Sequence, residues 1–369
     1  MTAPVPSADL PLNLHEYEAA ARALLPPPVW AYVVAGSGDE VTVRANRSAF
    51  DRWRLLPRML AGLREVSTAT TVLGQPIALP VLIAPSGRHR LCCDDGERAT
   101  ARAAKAAGTI YTMSSAASFA IEEIAPDAGL WWFQLYVFTD RGFTRELIAR
   151  AASAGAAALV VTVDVPVRAR RDSERRGRFE TWGGMAMTRL GATPEPPPAA
   201  VDAAPGPVAT DFDPAFSWDD LAWLASLSPL PILLKGILHP DDARLALAHG
   251  ARGVIVSNHG GRQLDGAVAA LDALPAVAAA VAGRADVLLD GGVRRGTDVL
   301  KALALGARAV LIGRPTHWGL AVAGEAGVRH ILELLRAELS LDLMLCGLPS
   351  PADVSRELLV PANTLTGSP

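Results

Sequence analysis

The chain of 369 residues is predicted to fold as an α/β protein of the (β/α)8 TIM-barrel type, with an N-terminal helical lead-in and a long loop after strand four. Three observations carry this expectation. Short apolar runs recur along the chain, each ending in a polar residue or glycine. Alanine-rich segments of helical character separate most of them. Several of those segments stop at a glycine just before the next run. Continuous apolar runs of this length fit strands buried on both faces of a parallel sheet, and β–α alternation builds barrels. A doubly wound sheet is disfavoured, because no GxGxxG follows any run and no GxxxxGK[ST] occurs.

The lead-in spans 12–60, with candidate helices Leu14–Leu25 and Pro28–Ala35. The candidate strands are Val81–Ala84, Ile110–Met113, Trp131–Phe133, Ala158–Val163, Pro231–Leu234, Gly253–Val256, Val287–Leu289 and Ala309–Ile312. The intervening helices include Glu97–Ala107, Arg145–Ala154, Pro240–His249, Ala267–Ala282 and Gly296–Leu305. Gly108, Gly155, Gly250, Gly283 and Gly306 stand where a helix stop places glycine. Residues 172–217 contain Pro194, Pro196, Pro197, Pro198, Pro205 and Pro207. A loop of this length reads as a mobile lid. The whole chain, 1–369, is taken as one domain.

Composition narrows the function. Half of the residues are hydrophobic and the formal net charge is −3, which excludes a disordered chain and a basic nucleic-acid binder. No run is long and apolar enough for a transmembrane helix, and the first ten residues lack the basic and apolar regions of a signal peptide. A soluble cytoplasmic protein is expected. Cys92, Cys93 and Cys346 form no disulfide framework and no metal-ligand spacing. Of 35 basic residues only Lys105, Lys235 and Lys301 are lysine.

In a barrel, the residues at the C-terminal ends of the strands line the active site. Here those ends carry Ser114, Gln134, Tyr136, Thr162, Asp164, Lys235, Ser257, His259, Asp290, Gly313 and Arg314. His259 can serve as a base near neutral pH, and Arg262 can clamp a carboxylate with parallel hydrogen bonds. Asp164 can orient the histidine and stabilise its charged form; a helix cap or a structural ion pair is the alternative. Asp290-Gly291-Gly292-Val293-Arg294 and Gly313-Arg314 follow strands seven and eight, where barrels commonly bind phosphate.

These residues lie in motifs that resemble the FMN-dependent 2-hydroxy acid oxidases and dehydrogenases, the family of glycolate, lactate and mandelate oxidising enzymes. The motifs are SNHGGRQLDG at 257–266, LDGGVRRGTDV at 289–299, KALALGARAVLIGRP at 301–315, FQLY at 133–136, TVDVP at 162–166 and LPILLKG at 230–236. The resemblance runs from about Leu14 to Leu359. It implies that His259 takes a proton from the substrate and that Asp164 pairs with the resulting imidazolium. Arg171 and Arg262 would hold the substrate carboxylate, with Tyr32 and Tyr136 beside the substrate and Tyr136 near its hydroxyl. Lys235 would face the flavin's N1–C2 edge, where positive charge meets the negative charge of the reduced ring. FMN would otherwise be held by Pro85, Ser86, Gly87, Ser114, Gln134, Thr162 and Ser257, and its phosphate by Asp290, Gly292, Arg294, Gly313 and Arg314.

The resemblance also implies an (S)-2-hydroxy acid substrate, reoxidation by O2 to give H2O2, and a homo-oligomer, a tetramer or octamer. Ala116 stands where glycolate oxidase has tryptophan, so a wider pocket that takes mandelate-like substrates is expected. Arg88 occupies a position after strand one that is usually methionine or tyrosine-like. Pointing inward, it favours a substrate with a second anionic or polar group; the reading taken from sequence is an outward rim charge. Two alternatives stay open: a dehydrogenase passing electrons to a quinone or protein acceptor, and a non-redox FMN-barrel isomerase.

Overall fold

The computed structural model describes residues 10–177 and 211–362. Eight parallel strands close into a barrel in sequence order: β1 (Val81–Ile83), β2 (Tyr111–Ser114), β3 (Trp131–Leu135), β4 (Leu159–Thr162), β5 (Ile232–Ile237), β6 (Gly253–Val256), β7 (Asp286–Asp290) and β8 (Ala309–Ile312). Each coincides with one of the expected runs. The helices around the barrel include α4 (Gly96–Ala106), α5 (Ile121–Ile124), α6 (Arg141–Ser153), α8 (Asp220–Ser226), α9 (Pro240–Ala248), α10 (Ala270–Val281) and α11 (Gly296–Ala304). The five expected stop glycines all adopt positive φ, from 66° at Gly108 to 106° at Gly306, the left-handed geometry that ends a helix without a Cβ clash.

Side chains alternate between the two faces of a strand, and the core divides accordingly. Leu82, Trp132, Val160, Leu233, Ile255, Leu288 and Leu311 fill the barrel interior. Their neighbours Ile83, Phe133, Val161, Leu234, Val256, Leu289 and Ile312 pack outward among the helices. Counting by twos from the interior set places Gln134, Thr162, Lys235, Ser257 and Asp290 on the inward phase at the C-terminal rim. The opposite end is sealed by a hairpin, Thr70–Val72 paired with Gln75–Ile77, whose Val72 and Ile77 join the interior cluster.

The lead-in contains three helices: α1 (Leu14–Leu24), α2 (Pro27–Val34) and α3 (Val41–Asp51). The third was not expected; its N-cap residue, Glu40, makes no side-chain cap hydrogen bond. Its cap is supplied by Asp265, whose carboxylate accepts the Thr42 amide and the Asp39 amide, both at 2.9 Å. A small antiparallel pair, Trp53–Leu55 with Leu359–Pro361, ties the segment after α3 to the C-terminal end of the described chain.

Of the expected lid, 178–210 lies outside the described residues. Its first part forms the short helix α7 (Asp172–Arg176). Residues 211–213 return along the chain after β3: the Thr139 amide donates to Asp211 O and the Asp213 amide to Val137 O, both at 2.8 Å. Among the described residues no helix is long and apolar enough to cross a membrane.

The cap on α3 is testable. Asp265→Ala removes the side-chain acceptor of the Thr42 amide in the first turn of α3 and of the Asp39 amide just before it. The expected outcome is a loss of about 1 kcal/mol, read as a lower urea midpoint with an unchanged denaturant slope.

Candidate active site

The inward phase of the strands delivers a row of polar side chains to the C-terminal rim, and hydrogen bonds knit that row from strand to strand. Ser114 Oγ donates to Gln134 Oε1 at 3.0 Å, and Gln134 Nε2 donates to Thr162 Oγ1 at 3.1 Å. Lys235 Nζ donates to Ser257 Oγ at 2.8 Å and pairs with Asp290 Oδ2 at 2.9 Å. Burial disfavours the lysine's charge, but Asp290 and Asp164 outweigh it and raise its pKa. Lys235 is therefore a fixed cation. Among the described residues, Asp290 Oδ1 is buried with no hydrogen-bond partner, as is Asp164 Oδ2. Buried polar atoms left in this way point to a group that the site binds.

Ser257 also accepts the His259 amide, at 3.0 Å. The turn that follows is tight: His259, Gly260 and Gly261 all have positive φ, of 58°, 65° and 75°. A Cβ on Gly261 would come within 2.7 Å of the Val43 backbone nitrogen, so glycine is required for the turn to pack on α3. His259 adopts the left-handed region despite its side chain, a conformation tolerated more by histidine than by most residues. Its Nδ1 lies 2.9 Å from Asp164 Oδ1. With Nδ1–H donating to the carboxylate, Nε2 presents a lone pair. Burial lowers the His259 pKa below the ordinary 6.5, against the upward pull of Asp164. The imidazole is thus neutral at neutral pH. Burial also works against the charge of Asp164, but His259 and Lys235 more than offset it and keep the carboxyl ionised.

Two arginines meet beside this pair. Arg171 Nε donates to the Arg262 carbonyl at 3.1 Å and its NH1 to Glu174 Oε1 at 2.9 Å. Arg262 NH2 donates to the same Glu174 oxygen at 2.9 Å, and its NH1 to the carbonyls of Tyr32 and Ala35. Each guanidinium has five N–H donors, so both retain donors beyond these bonds. Burial, with Arg171 adding repulsion, lowers the Arg262 pKa, which means the site favours an anion.

The contacts of Arg262 with α2 bring Tyr32 to the mouth. The guanidinium carbons of Arg262 and Arg88 each lie 5.2 Å from the Tyr32 ring centroid. Arg88 is therefore not an outward rim charge but part of the mouth. Tyr136 stacks on Phe212, with ring centroids 4.3 Å apart. Its phenol is pushed up to about 12 by burial and then by Asp164, so it stays protonated. Ala116 follows β2 and donates its amide to Ser114 Oγ at 3.1 Å. It lies against Gly87, where a Cβ would come within 2.4 Å of the Ala116 carbonyl oxygen. Ser86 Oγ is 2.8 Å from His89 Nε2, and Pro85 precedes it at the end of β1.

The expected phosphate loops are more committed than their sequence implies. The Arg294 and Arg295 amides donate to Asp298, and the Gly296 amide to Glu338. The Arg294 guanidinium sits over Trp318, 4.6 Å from the ring centroid. Arg314 donates to the carbonyls of Gly260, Val34 and Ala35, while its buried Nε has no partner among the described residues. Gly292 (φ 86°) and Gly313 flank this position at the ends of β7 and β8. Sequence reasoning missed Glu174, the carboxylate shared by Arg171 and Arg262. It also missed Gln263, which donates to Asp164 O and Val167 O and accepts the Ala169 amide. The arginine-rich run 168–171 was the available signal for the first, since clustered guanidiniums require a counter-charge.

Residues 21–361 match the family described as FMN-dependent dehydrogenase. The chain is 48% identical over 360 residues to an L-lactate oxidase of Nostoc sp., covering 95% of this chain and 98% of that one. It is 45% identical over 350 residues to a glycolate oxidase of Spinacia oleracea, covering 93% and 94%. A crystal structure of a mandelate oxidase with (S)-2-phenylpropionate superimposes with a TM-score of 0.84 at 42% identity, covering 95% of this chain and 98% of that chain.

The buried ion pair at the rim gives a direct test. Lys235→Met leaves Asp290 buried without its cation, at an expected cost of about 3 kcal/mol in unfolding of the apoprotein. Adding Asp290→Asn to that variant is expected to restore most of the loss, which a double-mutant cycle measures.

Proposed function

The chain belongs to the FMN-dependent dehydrogenase family, and within it we propose an oxidase that converts an (S)-2-hydroxy acid to the 2-keto acid. The electron pair and two protons leave the substrate and reduce O2 to H2O2. One observation carries the reading: a neutral imidazole held by a buried carboxylate stands beside two guanidiniums that retain free donors. That set suits removal of a proton from a carbon or hydroxyl next to a carboxylate.

FMN is the cofactor of this family, and when bound it accepts the two electrons of the oxidation. The residues present fit it. The row Ser114, Gln134, Thr162, Lys235 and Ser257 offers alternating donors and acceptors along one edge, and Asp290 Oδ1 is a buried acceptor with no partner. Pro85, Ser86 and Gly87 stand at the neighbouring end of β1. Gly292, Gly313 and the unpartnered Nε–H of Arg314 suit a phosphate, with Arg294 alongside. The fixed charge of Lys235 supplies electrostatic stabilisation to negative charge developing nearby.

In this reading Arg171 and Arg262 hold the substrate carboxylate, which orients Cα toward His259 and contributes part of the rate. His259 Nε2 receives the proton, and Asp164 stabilises the imidazolium that results. Tyr32 and Tyr136 pack beside the substrate, Tyr136 with its protonated hydroxyl toward the substrate oxygen. Ala116 presents only a methyl group and leaves room for medium or large side chains of the mandelate kind. We take the whole chain to act as one cytoplasmic domain that assembles as a homo-oligomer. Exposed Leu56, Met59 and Leu60, together with Leu341 and Leu345 on α12 (Arg314–Cys346), offer apolar surface for that assembly.

Two experiments test the reading. Anaerobic addition of 2-hydroxy acids is expected to bleach the flavin absorbance, and admitting O2 to restore it with one H2O2 per turnover; no bleaching with any acid of the panel refutes it. His259→Ala is expected to retain FMN while slowing bleaching by roughly 100- to 10,000-fold. The acid limb of kcat/KM is expected below pH 6.5, because activity needs the neutral imidazole and its pKa is lowered. Asp164→Asn removes the carboxylate that raises that pKa, so the limb moves further toward acid while the plateau falls.

A further inference from the structure

Around Glu174 the described residues hold more positive charge than one substrate carboxylate requires. Glu174 is buried and accepts from three arginines: Arg171 and Arg262 on Oε1 at 2.9 Å each, and Arg168 on Oε2 at 3.2 Å. Arg88 joins them across Tyr32, whose ring has Arg88 and Arg262 each at 5.2 Å. Among the described residues, these three guanidiniums exceed the one carboxylate they share by two positive charges, while Asp164 is engaged separately by His259. The substrate carboxylate expected on Arg171 and Arg262 neutralises one of these. Like charges gathered in a poorly solvated site repel strongly unless a further anion joins them.

Arg168 is also held in place by its backbone. The buried Gln263 side chain donates to Val167 O at 2.9 Å and accepts the Ala169 amide at 3.2 Å. The peptide groups on both sides of Arg168 are thus fixed by one side chain, which itself leaves the catalytic loop four residues after His259. A guanidinium kept only to balance Glu174 would not need this, because Glu174 already has two partners. Burial and repulsion from Arg171 lower the Arg168 pKa, as expected of a cation with too little negative charge around it.

We propose that Arg168, aided by Arg88, forms a second anion subsite, so that the preferred substrates are 2-hydroxy acids with a second carboxylate in the side chain. The inference rests on the oxidase reading above and narrows it, with a charged side chain in place of the mandelate kind: the 2-hydroxy carboxylate is held by Arg171 and Arg262, and the distal one by Arg168. Both residues are then specificity-determining and take no part in the proton transfer.

The test compares pairs of equal carbon number that differ in the distal carboxylate, on the FMN-loaded protein: 2-hydroxyglutarate against 2-hydroxypentanoate, and malate against 2-hydroxybutyrate. The wild-type protein is expected to favour the dicarboxylate in kcat/KM by tenfold or more. Arg168→Leu is expected to cut that preference roughly 10- to 100-fold, Arg88→Met to cut it less, and Arg168→Lys to keep part of it. Competitive inhibition by 2-oxoglutarate relative to 2-oxopentanoate is expected to change in parallel, which a purely structural role for Arg168 would not produce. FMN content checks that each variant is folded. Equal or lower activity on the dicarboxylates in wild type, or a preference unmoved by Arg168→Leu, overturns the subsite and leaves the oxidase reading intact. Failure of every acid to bleach the flavin overturns both.

Discussion

The ion pair between Lys235 on β5 and Asp290 on β7 reaches across the end of β6, and Ser257 lies at its centre. It is the point on which the rest of the mouth depends. The inward phase of a closed barrel offers little water, so any charge placed there must be matched in place. Ser257, held by Lys235, in turn accepts the His259 amide and so sets where the left-handed turn begins. That turn positions His259 on Asp164 and Arg262 beside Arg171. Strand geometry, charge compensation and the proposed chemistry are thus linked through one serine hydroxyl.

Arginine does the same work between layers that lysine does within the barrel. Arg262 and Arg314 both donate to carbonyls at the C-terminal end of α2. Those carbonyls carry the negative end of the helix dipole and need partners. The same bonds fasten the lead-in over the mouth and hold Tyr32 there. In the other direction, Asp265 caps α3, and Asn46 of α3 exchanges reciprocal amide bonds of 2.8 Å with Asn258. The 257–266 motif is therefore as much the seat of the N-terminal helices as part of the reaction site. A planar, permanently charged, multi-donor group suits such bridging better than an ammonium, which accords with a chain that uses lysine only three times.

Glu174 shows how a site can be both structural and functional. It neutralises one positive charge among Arg168, Arg171 and Arg262 and aligns two of their forks on a single oxygen. Among the described residues the arginines around it still outnumber it, so positive charge available to an anion comes from a few fixed groups. The formal charge of the whole chain, −3, contributes nothing to it.

The barrel, its eight strands and the residues at their ends were legible in the sequence because strand periodicity and glycine helix stops are local signals. A run such as Leu233-Leu234-Lys235 declares its strand, its inward phase and its rim residue within a few positions. The helix α3, the hairpin that seals the barrel, Glu174 between the arginines and the inward setting of Arg88 were not legible. Each depends on partners distant in sequence: Asp265 lies 223 residues from the Thr42 amide it caps, and Glu174 lies 88 from Arg262. The sequence by itself determined the architecture and which chemical groups reach the mouth. Only the tertiary structure decided how those groups pair, because a buried charge is settled by whichever opposite charge the fold brings within hydrogen-bond reach.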